Sequence, residues 1–241
     1  MTITSHFATT WFSRTVAISA IATALLGLPA FAQPDNPNPG VVPPFSTTAY
    51  GEWSAKWFKW AWEPAPASSP VLDTSGANCA VGQSGPVWFL AGTFFISLPA
   101  PPPVDRFCTI PAGKKLFFPI ANGFCGGDNF ANGFAGERAC ATSFAELSSG
   151  YRAEIDGTPV NALGGDLLHN FYRALSPPFD LVLGSANIFG APAGTYRPSA
   201  ADGVYLMLEP LSPGPHTIHF HADLGGGSQM DATYHLTVLS N

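Results

Sequence analysis

The strongest periodic pattern in the chain is a row of aromatic residues between residues 46 and 64. The row consists of Tyr50, Trp53, Trp57 and Trp60. Residues spaced by three and four positions lie along one side of an α-helix. Ser46-Thr47-Thr48 provides capping residues before the row, and Pro64 stops a helix after it. We therefore predict an N-terminal amphipathic helix that packs its aromatic side on the core.

After Pro64 the pattern changes to short strand-like runs separated by turn residues. These runs are Val87–Leu90, Leu116–Ile120, Tyr151–Ile155, Asn170–Arg173, Phe179–Leu183, Val204–Leu208, His216–Ala222 and Thr233–Leu239. Asp156-Gly157 and Asp202-Gly203 are typical turn dipeptides. Ser143 and Glu146 form a capping-box pattern, which predicts a short second helix that begins at Ser143. The predicted fold is mainly β, a β-sandwich or jelly roll with one N-terminal aromatic amphipathic helix and a short second helix.

Residues 1–32 match the pattern of a secretory signal peptide. Arg14 precedes an apolar run from Val16 to Leu28, and Ala30-Phe31-Ala32 is a small-x-small cleavage site. The alternative is a membrane anchor, but the run is shorter than the roughly twenty residues that a hydrocarbon core requires. We therefore expect an exported protein, periplasmic or extracellular, with no transmembrane segment after signal cleavage.

The rest of the chain is predicted to contain a flexible lead-in and one domain. Residues 33–45 are rich in proline and show no periodicity, which favours a flexible segment. Residues 46–241 contain neither a repeat nor a linker-like break, and their length suits a single β-rich domain.

The composition narrows the classes of partner. Charged residues make up 11% of the chain, against about a quarter in a typical globular protein, and the formal net charge is −6. An acidic chain without a Lys/Arg cluster argues against nucleic acid and anionic membranes as partners. The 24 prolines and 25 glycines fit a loop-rich exported β protein better than a cytosolic α/β enzyme.

The cysteine count points to disulfides. The four cysteines are Cys79, Cys108, Cys125 and Cys140, and an even number in an exported chain indicates two bridges with three alternative pairings. We favour Cys79–Cys108 and Cys125–Cys140, because each pair closes a loop rich in glycine or proline. A thiolate metal site is the alternative, but the spacing contains no Cys-x-x-Cys.

Six segments of the chain are distinctive in sequence. They are residues 53–61 (WSAKWFKWA), 73–79 (DTSGANC), 82–92 (GQSGPVWFLAG), 110–120 (IPAGKKLFFPI), 216–220 (HTIHF) and 234–238 (YHLTV). Together they resemble a family of small secreted bacterial proteins with no assigned activity, over most of residues 50–240. The string from Cys79 to Gly92 is the most specific part. The resemblance implies export and a common fold, and it assigns no catalytic residue.

A histidine cluster near the C-terminus is the strongest candidate for a metal site in the sequence. Alternate residues of a strand share one face, so His219, His221 and Asp223 should point the same way. If residues 224–230 form the connecting loop, Asp223 faces Asp231, His219 faces His235, and His221 lies diagonally beside His235. Three imidazoles and a carboxylate suit zinc or copper. The alternative is that these side chains lie on a half-exposed sheet face and bind no metal.

Other chemical motifs are weak. Gly82-Gln83-Ser84-Gly85 does not complete the Gly-x-Ser-x-Gly elbow of hydrolases. The chain lacks a His-Glu-x-x-His motif and a glycine-rich phosphate loop. Phe58 and Trp62 lie off the aromatic row of the predicted helix, so we expect them to meet solvent or a ligand.

By elimination, the sequence favours a non-enzymatic exported module that binds a ligand, such as a polysaccharide or another envelope component. The competing hypothesis is a secreted zinc- or copper-dependent enzyme that uses His219, His221 and His235. A structural envelope protein without a small ligand is the third alternative.

Overall fold

The computed structural model describes residues 40–44, 50–94, 102–127 and 129–240. The signal peptide predicted for residues 1–32 lies outside the described residues, as does most of the lead-in. The helices of the described chain are α1 (Tyr50–Trp62) and α2 (Phe134–Ala145). Its strands are β1 (Val87–Phe89), β2 (Val104–Ile110), β3 (Lys115–Gly126), β4 (Ser149–Ile155), β5 (Thr158–Pro159), β6 (Arg173–Leu175), β7 (Phe179–Leu183), β8 (Gly194–Leu208), β9 (Gly214–Gly225) and β10 (Ser228–Val238).

The strands form two sheets of five strands each. In the first sheet the order is β1-β3-β8-β6, and β7 also pairs with β8 because that strand is long enough to hold two partners along one edge. In the second sheet the order is β2-β10-β9-β4-β5. The pairs β1–β3 and β2–β10 are parallel, and the others are antiparallel. These two sheets confirm the predicted mainly β fold and are consistent with a β-sandwich.

The first sheet lies between α1 and the second sheet. On β3, Phe117 contacts the ring of Tyr50 from α1, with ring centres 5.6 Å apart. Its neighbour Phe118 points the other way and contacts Phe220 of the second sheet at 4.9 Å. A sheet that is covered on both faces consists of continuous apolar runs, which explains the unbroken burial of residues 204–208 in β8.

The second sheet has one buried and one exposed face. Along β2, buried and exposed residues alternate without exception, and along β10 buried residues alternate with partly or fully exposed ones. The outer face of this sheet carries His219 and His235, while Ile218 and Phe220 point into the core. In the part of the chain that is described, no helix is long and apolar enough to cross a membrane.

Helix α1 forms where the sequence predicts it, with its aromatic row packed on the core and its end just before Pro64. It stops at Trp62, two residues before Pro64, and Tyr50, Trp57 and Trp60 are buried. The expectation that Phe58 meets solvent or a ligand was wrong, because Phe58 is 0% exposed. The reason is that α1 is covered on more than one side, and Phe58 packs against Phe124 and Phe179 of the first sheet.

Helix α2 lies before the position that the capping box predicted. Ser143 belongs to its last turn and donates a hydrogen bond to the Cys140 carbonyl, so it does not begin a helix. The helix packs closely on β3 at Gly123, where an added Cβ would lie 2.2 Å from the Ala141 carbonyl oxygen. A glycine is therefore required at this contact between helix and sheet.

The lead-in prediction was wrong at its C-terminal end. Val41 and Val42 are buried, and the Val42 amide donates to the Met207 carbonyl of β8 at 2.8 Å. These two apolar residues interrupt the proline-rich segment and gain burial by lying along the sheet. The run predicted at residues 170–173 also differs, since only Arg173 of that run belongs to β6.

Candidate functional site

A pocket of about 460 Å³ opens at the end of the sandwich where the β9–β10 hairpin turns. Its walls come from α1, the segment that follows β1, the middle of β3, the end of α2, the β7–β8 loop and the β9–β10 hairpin. The residues with aromatic side chains in these walls are Trp57, Trp62, Phe94, Phe124, Phe144 and Phe189. Most ligand pockets have volumes of about 300–1,000 Å³ and mainly apolar walls, so this pocket has the size and character of a small-molecule site.

Trp62 is the centre of the aromatic wall. Its ring contacts Phe124 at 4.7 Å, Phe189 at 4.9 Å and Phe94 at 5.9 Å between ring centres. All three pairs have steep angles between the ring planes, which is the edge-to-face arrangement that aromatic quadrupoles favour. Trp62, which the sequence predicts to meet solvent or a ligand, is half-buried and lines this pocket.

The rim of the pocket is also apolar. Phe144 and Leu147 line it, and their side chains are 56% and 61% exposed. Large apolar side chains that are exposed beside a pocket often belong to a binding surface. The rim therefore extends the apolar character of the interior to the mouth.

Two polar atoms in the pocket wall have no hydrogen-bond partner within the described chain. They are Oγ1 of Thr93 and Nδ2 of Asn122, and each atom is buried. Asn122 also approaches the hydroxyl of Tyr205, whose pKa is raised by burial, but neither Nδ2 nor that hydroxyl forms a hydrogen bond of good geometry. Buried polar atoms without partners are rare in folded proteins, so these atoms need an explanation.

Electrostatically, the pocket is neutral. None of the described residues that line it is an aspartate, glutamate, lysine, arginine or histidine. Ser148 is a further polar wall residue, and its hydroxyl donates to the Ala145 carbonyl and lies 3.0 Å from the Tyr151 hydroxyl. The pocket therefore offers apolar surface and a few polar groups, without a charge that could hold an ion.

A buried arginine holds the segment that carries Thr93. Arg106 of β2 is 1% exposed, and its guanidinium donates to the carbonyls of Asp73, Ala91 and Gly92 and to the hydroxyl of Tyr234. Burial raises the pKa of Tyr234, while the nearby Arg106 charge opposes that increase. Because the guanidinium contacts two consecutive carbonyls directly before Thr93, it fixes the backbone on that side of the pocket.

The preceding loop is tied to α1 by side chains. The indole of Trp57 donates to the Leu90 carbonyl at 2.8 Å, and the indole of Trp60 donates to the Val81 carbonyl at 2.8 Å. The Gln83 amide pairs with both backbone groups of Phe89. These bonds explain why an irregular segment can form a defined wall next to the helix.

Disulfides and a buried ion pair support both sides of the pocket. Cys79 is joined to Cys108, and Cys125 to Cys140, which is the pairing that loop composition favours. The second bridge attaches α2 to β3. Asp202 of β8 accepts two hydrogen bonds from the Arg173 guanidinium and one from Thr142 of α2 at 2.7 Å.

The histidine cluster adopts a register that differs from the prediction by two residues. The β9–β10 turn consists only of Gly226 and Gly227, so His221 faces Asp231 and His219 faces Thr233. His235 faces Thr217 and therefore does not lie opposite His219. Both turn glycines have positive φ values, 58° and 80°, which the tight type I′ turn of a hairpin requires.

The structure brings His219 and His221 together on one carboxylate but does not add His235. Nε2 of His219 and Nδ1 of His221 lie 3.1 and 3.0 Å from the two carboxylate oxygens of Asp231. His235 instead lies 3.3 Å from a carboxylate oxygen of Asp105 and stacks on Phe107. Among the described residues, no group of three or more histidine, cysteine, aspartate or glutamate side chains is arranged to hold a metal ion.

Sequence reasoning missed most of the pocket. It identified Trp62, but it did not identify Thr93, Asn122 or Phe189, which come from three separate segments. One local signal was present, because Asn122 interrupts the apolar run of a strand. No family model, no curated protein and no solved structure matches the chain.

Proposed function

We propose that this chain is an exported binding protein that holds a small apolar molecule in the pocket at the end of its β-sandwich. The observation that carries the proposal is the pocket itself, with about 460 Å³ of space and six aromatic wall residues. Binding is favoured over catalysis because none of the described wall residues is a histidine, a carboxylate or a cysteine that could act as base or nucleophile.

The lining also favours a compact apolar ligand over a polysaccharide. Sugar hydroxyls need several hydrogen-bond partners, and this wall offers few polar side chains. An apolar component of the cell envelope, or an apolar molecule from outside the cell, fits the pocket better. Export is part of the proposal, and the signal-peptide pattern of residues 1–32 together with two disulfides supports it.

The experiment is a titration of the purified protein with N-phenyl-1-naphthylamine, a neutral dye that fluoresces in apolar surroundings. We expect saturable binding of about one dye per chain. Trp62→Ala should weaken it at least tenfold, because Trp62 contacts three other aromatic residues of the wall.

The matched control is Phe107→Ala, which also removes a large aromatic ring. Phe107 is 67% exposed and lies on the outer face of the second sheet, so this variant should bind the dye as the wild type does. Dye binding that is absent in the wild type, or that is lost equally in both variants, would contradict the proposed function.

A further inference from the structure

The unpartnered polar atoms of the pocket wall carry information on the ligand beyond its apolar character. From them we infer that the ligand is an uncharged ring compound that bears a carbonyl oxygen, and that Asn122 and Thr93 donate hydrogen bonds to this oxygen. The inference rests on the proposed function, because it names the chemical class of the molecule in the same pocket.

The first argument concerns the cost of leaving these atoms unsatisfied. A buried donor without a partner loses its bonds to water and costs about 1–3 kcal/mol. Oγ1 of Thr93 and Nδ2 of Asn122 are both buried and line the same pocket, and neither forms a hydrogen bond of good geometry in the described chain, although Asn122 approaches the Tyr205 hydroxyl. An amide nitrogen can only donate, and a threonine hydroxyl can donate, so an occupant that satisfies both must present an acceptor oxygen.

The second argument concerns charge. An anionic ligand would also present acceptor oxygens, but burying a carboxylate requires a cationic partner. The described lining contains no lysine, arginine or histidine, and the nearby Arg106 already donates to three backbone carbonyls and a tyrosine hydroxyl. The acceptor must therefore be neutral, as the oxygen of a ketone, ester or amide is.

The third argument concerns shape. Six aromatic residues line the wall, and Trp57 and Trp62 from α1 are two of them. Flat rings fill the space between edge-to-face aromatic side chains with much contact area. A ring system that occupies the aromatic part, with its carbonyl directed at Thr93 and Asn122, uses both features of the wall.

The test compares three probes that have the same ring system. They are 2-ethylnaphthalene, 2-acetylnaphthalene and 2-naphthoate, which carry an apolar, a carbonyl and an anionic substituent of similar size. Each is titrated against the purified protein by displacement of N-phenyl-1-naphthylamine. We expect the acetyl compound to bind about tenfold more tightly than the ethyl compound, as one net hydrogen bond provides, and the naphthoate to bind most weakly.

A double variant tests the assigned donors. In Thr93→Val/Asn122→Leu the ratio between acetyl and ethyl compounds should fall from about ten to about one, because both donors are replaced by apolar groups of similar shape. The control is Thr109→Val/Asn132→Leu, two exposed positions outside the lining, where the ratio should stay near ten. The wild-type ratio alone decides whether the pocket prefers a carbonyl, so a double variant that fails to fold does not remove the test.

The outcomes separate the two proposals. If none of the probes binds, the proposed function fails. If the ethyl and acetyl compounds bind equally well, the pocket binds apolar molecules but the inference on the carbonyl is overturned. Preferred binding of the naphthoate overturns the inference on neutrality, and an acetyl preference that persists in a folded Thr93→Val/Asn122→Leu protein overturns the assignment of the donors.

Discussion

The guanidinium of Arg106 is buried beside carbonyl groups, and no carboxylate of the described chain forms an ion pair with it. We expect Arg106→Met to destabilise the protein and to loosen the pocket wall at Ala91 and Gly92. Methionine fills similar space but cannot donate, so three carbonyls and the Tyr234 hydroxyl lose a donor.

The expected loss in the free energy of unfolding follows from the four hydrogen bonds that the Arg106 guanidinium donates. Hydrogen bonds to charged groups contribute about 1.5–3 kcal/mol each, so their gross contribution is roughly 6–12 kcal/mol. Burial of the guanidinium opposes this by several kcal/mol. Arg106→Met leaves no unpaired charge behind, but each buried carbonyl that loses its donor costs about 1–3 kcal/mol. Relief of the guanidinium burial offsets part of this cost, so we expect a net loss of about 3–5 kcal/mol. In a protein of this size the midpoint of thermal unfolding should fall by roughly 6–20 °C.

Urea unfolding followed by circular dichroism measures the loss, and hydrogen exchange at the Ala91 amide, which donates to Tyr234 Oη, reports the local effect. The control is Arg152→Met, because Arg152 is exposed on β4 and its loss should change stability by no more than about 0.5 kcal/mol. A loss below about 1 kcal/mol for Arg106→Met, or unchanged exchange at Ala91, would refute the reasoning.

Two further predictions concern the supports of the fold. Replacing Cys125 and Cys140 by serine opens a loop of 15 residues and should lower the free energy of unfolding by about 3 kcal/mol in urea titrations, whereas an unchanged midpoint would show that this bridge contributes nothing. Burial alone would raise the pKa of Asp156 and lower that of His216, but hydrogen bonds outweigh burial in both residues. Asp156 accepts from the Thr217 amide and pairs with His216 at 2.7 Å, which lowers the pKa of Asp156, and the bonds of His216 to Asp156 and to the Ser212 carbonyl raise the pKa of His216. The pair therefore stabilises the fold most between the ordinary pKa values of 3.8 and 6.5, and this contribution declines as pH rises through the folded pKa of His216 or falls through that of Asp156. Asparagine tolerates the positive φ of 51° at position 156, so Asp156→Asn should keep the turn. In this variant the free energy of unfolding should change less between about pH 5.5 and about pH 8.5 than it does in the wild type. The same pH dependence in both proteins would contradict the role given to this pair.

Local patterns in the sequence were sufficient for α1. Its aromatic row follows the helical repeat, and the proline at position 64 marks its end, so both the element and its buried side could be predicted. The strands β3 and β8 were recognised only in part. Their continuations contain Asn122, Gly123 and Pro198, which break the apolar pattern, while pairing with a neighbouring strand extends them.

The second helix could not be predicted from local signals. Residues 134–145 show no strong apolar side, and the helix is positioned by tertiary contacts, namely the Cys125–Cys140 bridge and the close approach at Gly123. The hairpin register was available in principle. Three consecutive glycines favour a turn of two residues, which is shorter than the predicted loop of residues 224–230. The shorter turn shifts the register by two residues, so His235 lies opposite Thr217 and not opposite His219.

The pocket was the least predictable feature, because its wall residues come from distant segments. Phe94, Asn122, Phe189 and Met230 meet only when the sheets and α1 are assembled. Nothing in their sequence surroundings distinguishes them from ordinary core residues, and only the assembled structure reveals that two polar atoms in the wall have no partner in the described chain.

The most direct measurement of the central claim is an amide chemical-shift map of the protein with and without 2-acetylnaphthalene. We expect the largest changes at Gly92, Thr93, Asn122 and Gly123, which line the pocket, and small changes at His219 on the outer face of the second sheet. Changes that concentrate on the outer face, or an unchanged spectrum at saturating concentrations of the compound, would contradict the account.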